Sequence, residues 1–176
     1  MLAITGASGV GLAEKFINYL PQNSEAIDLH IVISKHAKTV AKYENETIHN
    51  VTLHNNEDIA ASIASGSFQV DATVVLPCSM NTLAKIACGI ADNLTSRVAA
   101  VAIKEQKRLL LAPREMPLSA IALENMLKLS KLGVVIAPPI IGYYSESNSL
   151  EDIEKFIIGK WYDTLGIEHN LYKRWS

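Results

Sequence analysis

The chain has 176 residues, enough for one domain with a sizeable core, and 49% of them are hydrophobic while only 19% are charged. A net charge of −2 and an aromatic content of 6% exclude nucleic acid as a main partner, because that role needs a basic surface or stacking platforms. No apolar run is long enough to span a bilayer, and Gly6 interrupts the first apolar run too early for a secretory signal.

The elements read in chain order as apolar runs alternating with helical periodicity. MLAI (1–4) is the first buried strand and 11–20 the first helix; LHIVI (29–33) and helix 36–44 follow. A short edge strand is expected at 51–53, then the buried run ATVVL (72–76), which drops at Pro77 into a loop of small polar groups. Helix 82–91, strand RLLLA (108–112), helix 118–132 and strand GVVIA (133–137) complete the alternation. The last helix starts after Ser149, where Ser-Leu-Glu-Asp resembles a capping box with Asp in place of Glu, and Gly166 stops it. This pattern predicts an α/β fold over residues 1–176: one three-layer αβα domain around a doubly wound, mostly parallel, Rossmann-like or flavodoxin-like sheet. Segments 45–57 and 138–149 are the least regular, and the second, rich in Pro, Gly, Tyr and Ser, has the composition of a substrate lid.

Two cysteines, Cys78 and Cys88, match no zinc or CxxC spacing and fit a reducing, cytoplasmic setting. Five histidines, His30, His36, His49, His54 and His169, show no HxxH or HExxH spacing, so no metal site is expected. The chemistry is carried by other segments. Thr5-Gly6-Ala7-Ser8-Gly9 joins the first strand to the first helix, where small residues and a helix N-terminus suit a phosphate. Counted from Gly6, the dinucleotide pattern GxGxxG fails at Ser8, and TGxxxGxG fails at Val10 and Leu12. The second strand ends in Ser34-Lys35, with no acid to hold a ribose, so a mononucleotide such as FMN is favoured over NAD. Ser34 suits either a ligand hydrogen bond or a helix N-cap.

Cys78-Ser79-Met80-Asn81-Thr82 offers more small polar groups than one cap needs and reads as a ligand-binding loop. Arg97 and Lys104 stand seven residues apart, on one face if the helix is continuous, and Lys107 and Arg108 extend that cluster. Arg114 at a strand's carboxyl end can fork onto a phosphate, and Glu115 beside it can orient that arginine, transfer protons or form a structural ion pair.

In this order the segments ITGASG, ISKHA, DIAASIASGSF, VVLPCSMNTLAKIACGIADNL, RVAAVAIKEQKRLLLAPREMPLS, LENMLKLSKLGVVIAPP, YYSESNSLEDI and LGIEHNLYKRW resemble the UbiX-type flavin prenyltransferases over nearly the whole chain. The resemblance implies binding of reduced FMN, without an obligatory metal. It implies transfer of a dimethylallyl group from dimethylallyl phosphate to the flavin's N5 and C6 atoms, forming a fourth ring. The prenylated flavin would serve a UbiD-type decarboxylase, in quinone synthesis or aromatic-acid breakdown. By position, Gly6, Ala7, Ser8, Ser34, Ser79, Met80, Asn81, Thr82 and Arg114 are implied FMN contacts. Arg97, Lys104, Glu115, Tyr144 and Lys160 are implied at the prenyl phosphate, with Trp175 as the family's near-terminal tryptophan. Ser8, Glu44 and Glu115 are the implied proton carriers, Glu44 being a carboxylate near the reacting flavin. A dodecamer with active sites at subunit interfaces is also implied.

The departures are Lys160 where many relatives carry Arg, Asn81 where some carry Lys or Gly, and Leu12 where many carry Tyr. Lysine keeps the charge at 160 but loses the two-pronged geometry. FMN-dependent cysteine-type decarboxylases are the nearest rival; His36 is a candidate for their base, but their PASANT segment is absent. A non-catalytic flavin-binding module is the other alternative, disfavoured because flavin alone needs no second set of phosphate-binding cations.

Overall fold

The computed structural model describes residues 1–21, 27–46, 52–143 and 148–174. Strands β1 (Leu2–Ile4), β2 (His30–Ile33), β3 (Thr52–Asn55), β4 (Ala72–Cys78), β5 (Arg108–Pro113) and β6 (Val135–Ile136) form one parallel sheet in the order β3-β2-β1-β4-β5-β6. Helices α1 (Val10–Asn18), α2 (Lys35–Glu44), α3 (Met80–Ala87), α4 (Leu94–Lys104), α5 (Ala120–Lys131) and α6 (Leu150–Leu165) connect or follow the strands. The order reverses between β1 and β4, which opens a crevice at the carboxyl ends of those two strands.

Alternation along the strands builds two cores. Leu2, Ile4, Ile31, Leu76 and Leu110 face α1 and α6, while Ala3, Val32, Val75, Leu109 and Leu111 face α3, α4 and α5. On the first face Tyr162 donates its hydroxyl to the Phe16 carbonyl, and the Trp161 indole N–H donates to Ala137 O at 2.9 Å. Those two polar handles let aromatic side chains of α6 sit fully inside.

Most expected elements are present, with differences at their ends. β4 runs through Pro77 to Cys78, and Ser79 alone separates it from α3, so the expected loop is a helix cap instead. The edge strand expected at 51–53 is β3 at Thr52–Asn55; Val51 lies outside the described residues. GVVIA shortens to Val135–Ile136, because Gly133 at φ 82° is spent closing α5 and an edge strand has a partner on one side only. The helix expected over 82–91 begins two residues earlier and stops at Ala87. Gly89 at φ 71° lets its N–H reach Ile86 O at 3.1 Å and the Ile90 N–H reach Lys85 O at 2.9 Å. A separate helix, α4, then begins after Asn93, whose side chain accepts from the Ser96 N–H at 3.0 Å. The final helix matches its reading: Ser149 caps α6 through the Asp152 N–H at 3.1 Å, and Gly166 closes it at φ 74°.

Candidate functional site

At the crevice, β1 and β4 are clamped by one buried hydroxyl. Thr5 Oγ1 donates to Pro77 O at 2.7 Å and accepts the Ser79 N–H at 2.8 Å. Beyond this clamp lies a cleft of about 580 Å³, lined by Thr5, Gly6, Ser34, Ser79, Asn81 and Thr82 with His36, Asn56, Asn93 and Thr95 among the other walls. Its size is that of an ordinary small-molecule site. Ser34 caps α2 by accepting the Ala37 N–H at 3.1 Å, and Ser79 caps α3 by accepting the Thr82 N–H at 3.3 Å. Each cap satisfies one helix donor. The N–H groups of Lys35 and His36 on α2, and of Met80 and Asn81 on α3, have no acceptor among the described residues. Two helix N-termini with open donors therefore meet at one cleft, which is the chemistry a phosphate monoester requires. The Ser79 and Thr82 hydroxyls, 3.0 Å apart, add further polar groups. An FMN phosphate fits this donor set. Gly6 is needed because a Cβ there would overlap the Cβ of His36 at the start of α2.

The glycine turn behaves differently from the expected phosphate cradle. Glu44, at the end of α2, accepts the Gly9 N–H at 3.0 Å and the Val10 N–H at 3.0 Å. The anion at the α1 N-terminus is thus the protein's own carboxylate. Burial alone would push the Glu44 carboxyl up. Hydrogen bonds from Gly9, the Ser8 hydroxyl, Val10 and Gly11 outweigh it and hold the group below the usual glutamate value. Glu44 is an ionised cap, coupled directly to the exposed Ser8 hydroxyl. Ala7, next to Ser8 in the turn, is buried.

Arg114 is exposed just past β5, its N–H donating to Cys78 O at 3.2 Å. Glu115 is exposed and, among the described residues, accepts only the N–H of its neighbour Met116, at 3.1 Å. Among the described residues the two form no ion pair, so that reading of the Arg-Glu pair is not realised. Arg97 and Lys104 do share the outward side of one continuous helix, α4. Arg97 Nε donates to Ala64 O at 3.3 Å, and Lys104 pairs with Glu105 at 2.6 Å. Neither lines the cleft of its own chain. Lys160 is exposed on α6, across the sheet from α4, and lies 3.9 Å from Asp163. The three cations expected at one phosphate therefore stand on opposite faces of the protomer. Tyr144 and Trp175 lie outside the described residues.

Asn56, Asn93 and Thr95 were not among the sequence candidates, and Thr5 was named only as part of the glycine turn. Asn93 could have been found from its cap pattern with Ser96; the others are placed by contacts across the sheet. Among the described residues no three His, Cys, Asp or Glu side chains are grouped to hold a metal.

The model of the Flavoprotein family matches residues 1–162. The flavin prenyltransferase UbiX of Helicobacter pylori (strain 26695) is 48% identical over 185 aligned positions, covering 100% of this chain and 97% of the relative. The chain belongs to the UbiX flavin prenyltransferases. Among solved structures, a UbiX-like protein of Escherichia coli O157:H7, described as a dodecameric FMN-dependent decarboxylase, superposes with TM-score 0.93 at 40% identity, covering 99% of this chain and 97% of the other. A UbiX called AnUbiX (PadA1), solved with FMN and dimethylallyl pyrophosphate, gives TM-score 0.92 at 39% identity, covering 99% and 95%. UbiX membership agrees with the flavin-sized cleft and its phosphate-directed donors.

Proposed function

We propose that this chain is a flavin prenyltransferase, which binds reduced FMN in the β1–β4 cleft and transfers a dimethylallyl group to it from dimethylallyl phosphate. The observation that carries the reading is full-length identity of 48% to a flavin prenyltransferase, over a fold whose cleft presents open helix donors. When bound, reduced FMN supplies the nucleophilic N5 and C6 atoms. Ser34, Ser79, Met80, Asn81 and Thr82 hold its phosphate end, with Gly6, Ala7, Ser8 and Arg114 along its length. Ser8, hydrogen-bonded to the ionised Glu44 carboxylate, would relay to it the proton released on transfer, taking one up as it gives one away, and Glu115, which forms no ion pair with Arg114 among the described residues, would be the second proton carrier. Arg97, Lys104, Tyr144, Lys160 and Trp175 serve the prenyl phosphate, where cations stabilise the departing phosphate.

Arg97 and Lys104 on one face and Lys160 on the other cannot join one site within a chain, which supports an assembly, a dodecamer by analogy, with sites shared between subunits. The whole chain, 1–176, acts as one catalytic domain. The product is handed to a UbiD-type decarboxylase in the cytoplasm; the unpaired Cys78 and Cys88 support that compartment.

The test is anaerobic incubation with reduced FMN and dimethylallyl phosphate, followed by mass spectrometry of the extracted flavin. A flavin heavier by one dimethylallyl unit is expected, and unchanged FMN on folded, flavin-loaded protein overturns the reading. A cysteine-type decarboxylase reading has one observation in its favour, His36 on the cleft wall. It predicts carbon dioxide release from a peptidyl or pantothenoyl cysteine, and the same protein can be assayed for it.

A further inference from the structure

Asn56 directly follows β3 and is 9% exposed, yet it lines the cleft. Its Oδ1 accepts the Thr95 N–H at 3.2 Å and the Thr95 hydroxyl at 2.7 Å, while its backbone carbonyl accepts the Leu94 N–H at 2.8 Å. A backbone N–H only donates, so the side-chain atom facing Thr95 is oxygen and the amide orientation is fixed. Together with the Asn93 side chain, which takes the Ser96 N–H, these contacts close the N-terminus of α4. What that corner presents to the cleft is the Asn56 amide nitrogen, with two hydrogens and no acceptor among the described residues.

Strand order says what this amide faces. Ile33 pairs with Asn55 at the carboxyl ends of β2 and β3, and the next residues, Ser34 and Asn56, both line the cleft that holds the open N–H groups of α2. The acids in the same wall do not compete strongly for it. Asp92 is held by Lys85 Nζ at 2.7 Å, and Glu57 is exposed. Asn56 Nδ2 is not among the enclosed unpartnered atoms of the described residues, so it opens onto the cleft, where a ligand oxygen can take the place of water. Next to an open helix N-terminus, the matching acceptor is an anionic oxygen.

We propose that Asn56 recognises the phosphate ester of the flavin mononucleotide, donating from its side-chain amide, and so sets the preference for FMN over riboflavin. The proposal rests on the flavin reading above. Asn56→Asp preserves the Thr95 contacts and exchanges the donor for a charged oxygen. Fluorescence titration of apo protein should show FMN binding weakened about a hundredfold or more, with riboflavin within about threefold of wild type. Asn56→Ala adds no charge and should lower the FMN-to-riboflavin preference about tenfold, so it supplies the reading if Asn56→Asp fails to fold. Inorganic phosphate should raise the unfolding temperature of the wild-type apo protein and not that of a folded variant. Variants that keep the wild-type preference, or lose both flavins equally, overturn the role of Asn56. Wild-type protein that binds neither flavin overturns the flavin reading itself.

Discussion

Replacing Thr5 by Val tests whether one hydroxyl holds the crevice together. The side chains have nearly the same shape, but Val removes both the bond to Pro77 O and the acceptor of the Ser79 N–H. Pro77 O keeps a second donor, the Thr5 N–H at 3.2 Å, whereas the Ser79 N–H keeps none. A lost bond of about 1 kcal/mol and an orphaned N–H of about 2 kcal/mol give a loss of about 3 kcal/mol. For a chain of this length that is a fall of roughly 6–12 °C in unfolding temperature. Thr5→Ser is the control, because it keeps the hydroxyl and loses a methyl, at about 1 kcal/mol. Circular dichroism melts at matched subunit concentration read the difference. A Thr5→Val protein as stable as Thr5→Ser would refute the clamp.

Glu44→Gln removes a carboxylate whose folded pKa is depressed. Its contribution is present above the unfolded glutamate value and is lost as pH falls through the folded one. Urea midpoints followed from neutral pH down to acid should therefore fall less steeply in Glu44→Gln than in wild type; parallel curves would count against the cap. Gly6→Ala drives a methyl into His36 and displaces the start of α2, so FMN affinity should drop at least about tenfold by fluorescence titration. Unchanged affinity would show that the turn yields freely. Inactive Arg97→Ala and Arg114→Ala proteins, mixed after dissociation and reassembled, should recover part of the wild-type rate. Failure of mixed assemblies that are shown to form would place both arginines in one protomer's site.

The strands were legible because a parallel sheet covered on both faces needs unbroken apolar runs, and ATVVL and RLLLA are such runs. Helix beginnings were less so. Ser34 and Ser79 read equally as ligand groups or caps, and the structure uses both as caps while leaving them on the cleft wall. The helix read over 82–91 ran past the true end of α3, where Gly89 takes a positive φ, and α4 was not among the expected elements. The site's closing contacts join residues far apart in sequence, Glu44 to Gly9 and Asn56 to Thr95. No local pattern announces such pairs. The spacing of Arg97 and Lys104 was read correctly as one helix face, but spacing does not say which subunit's cleft that face meets.

The Glu44 cap on the glycine turn has a consequence for turnover. With the α1 donors satisfied by Glu44, and the Thr5 clamp and both serine caps made, the cleft walls are held by contacts within the protein. A tightly held prosthetic group often completes the fold around it and then cannot leave. On the function proposed above the flavin is a substrate, and walls held by the protein's own contacts suit a ligand that is exchanged at each turnover.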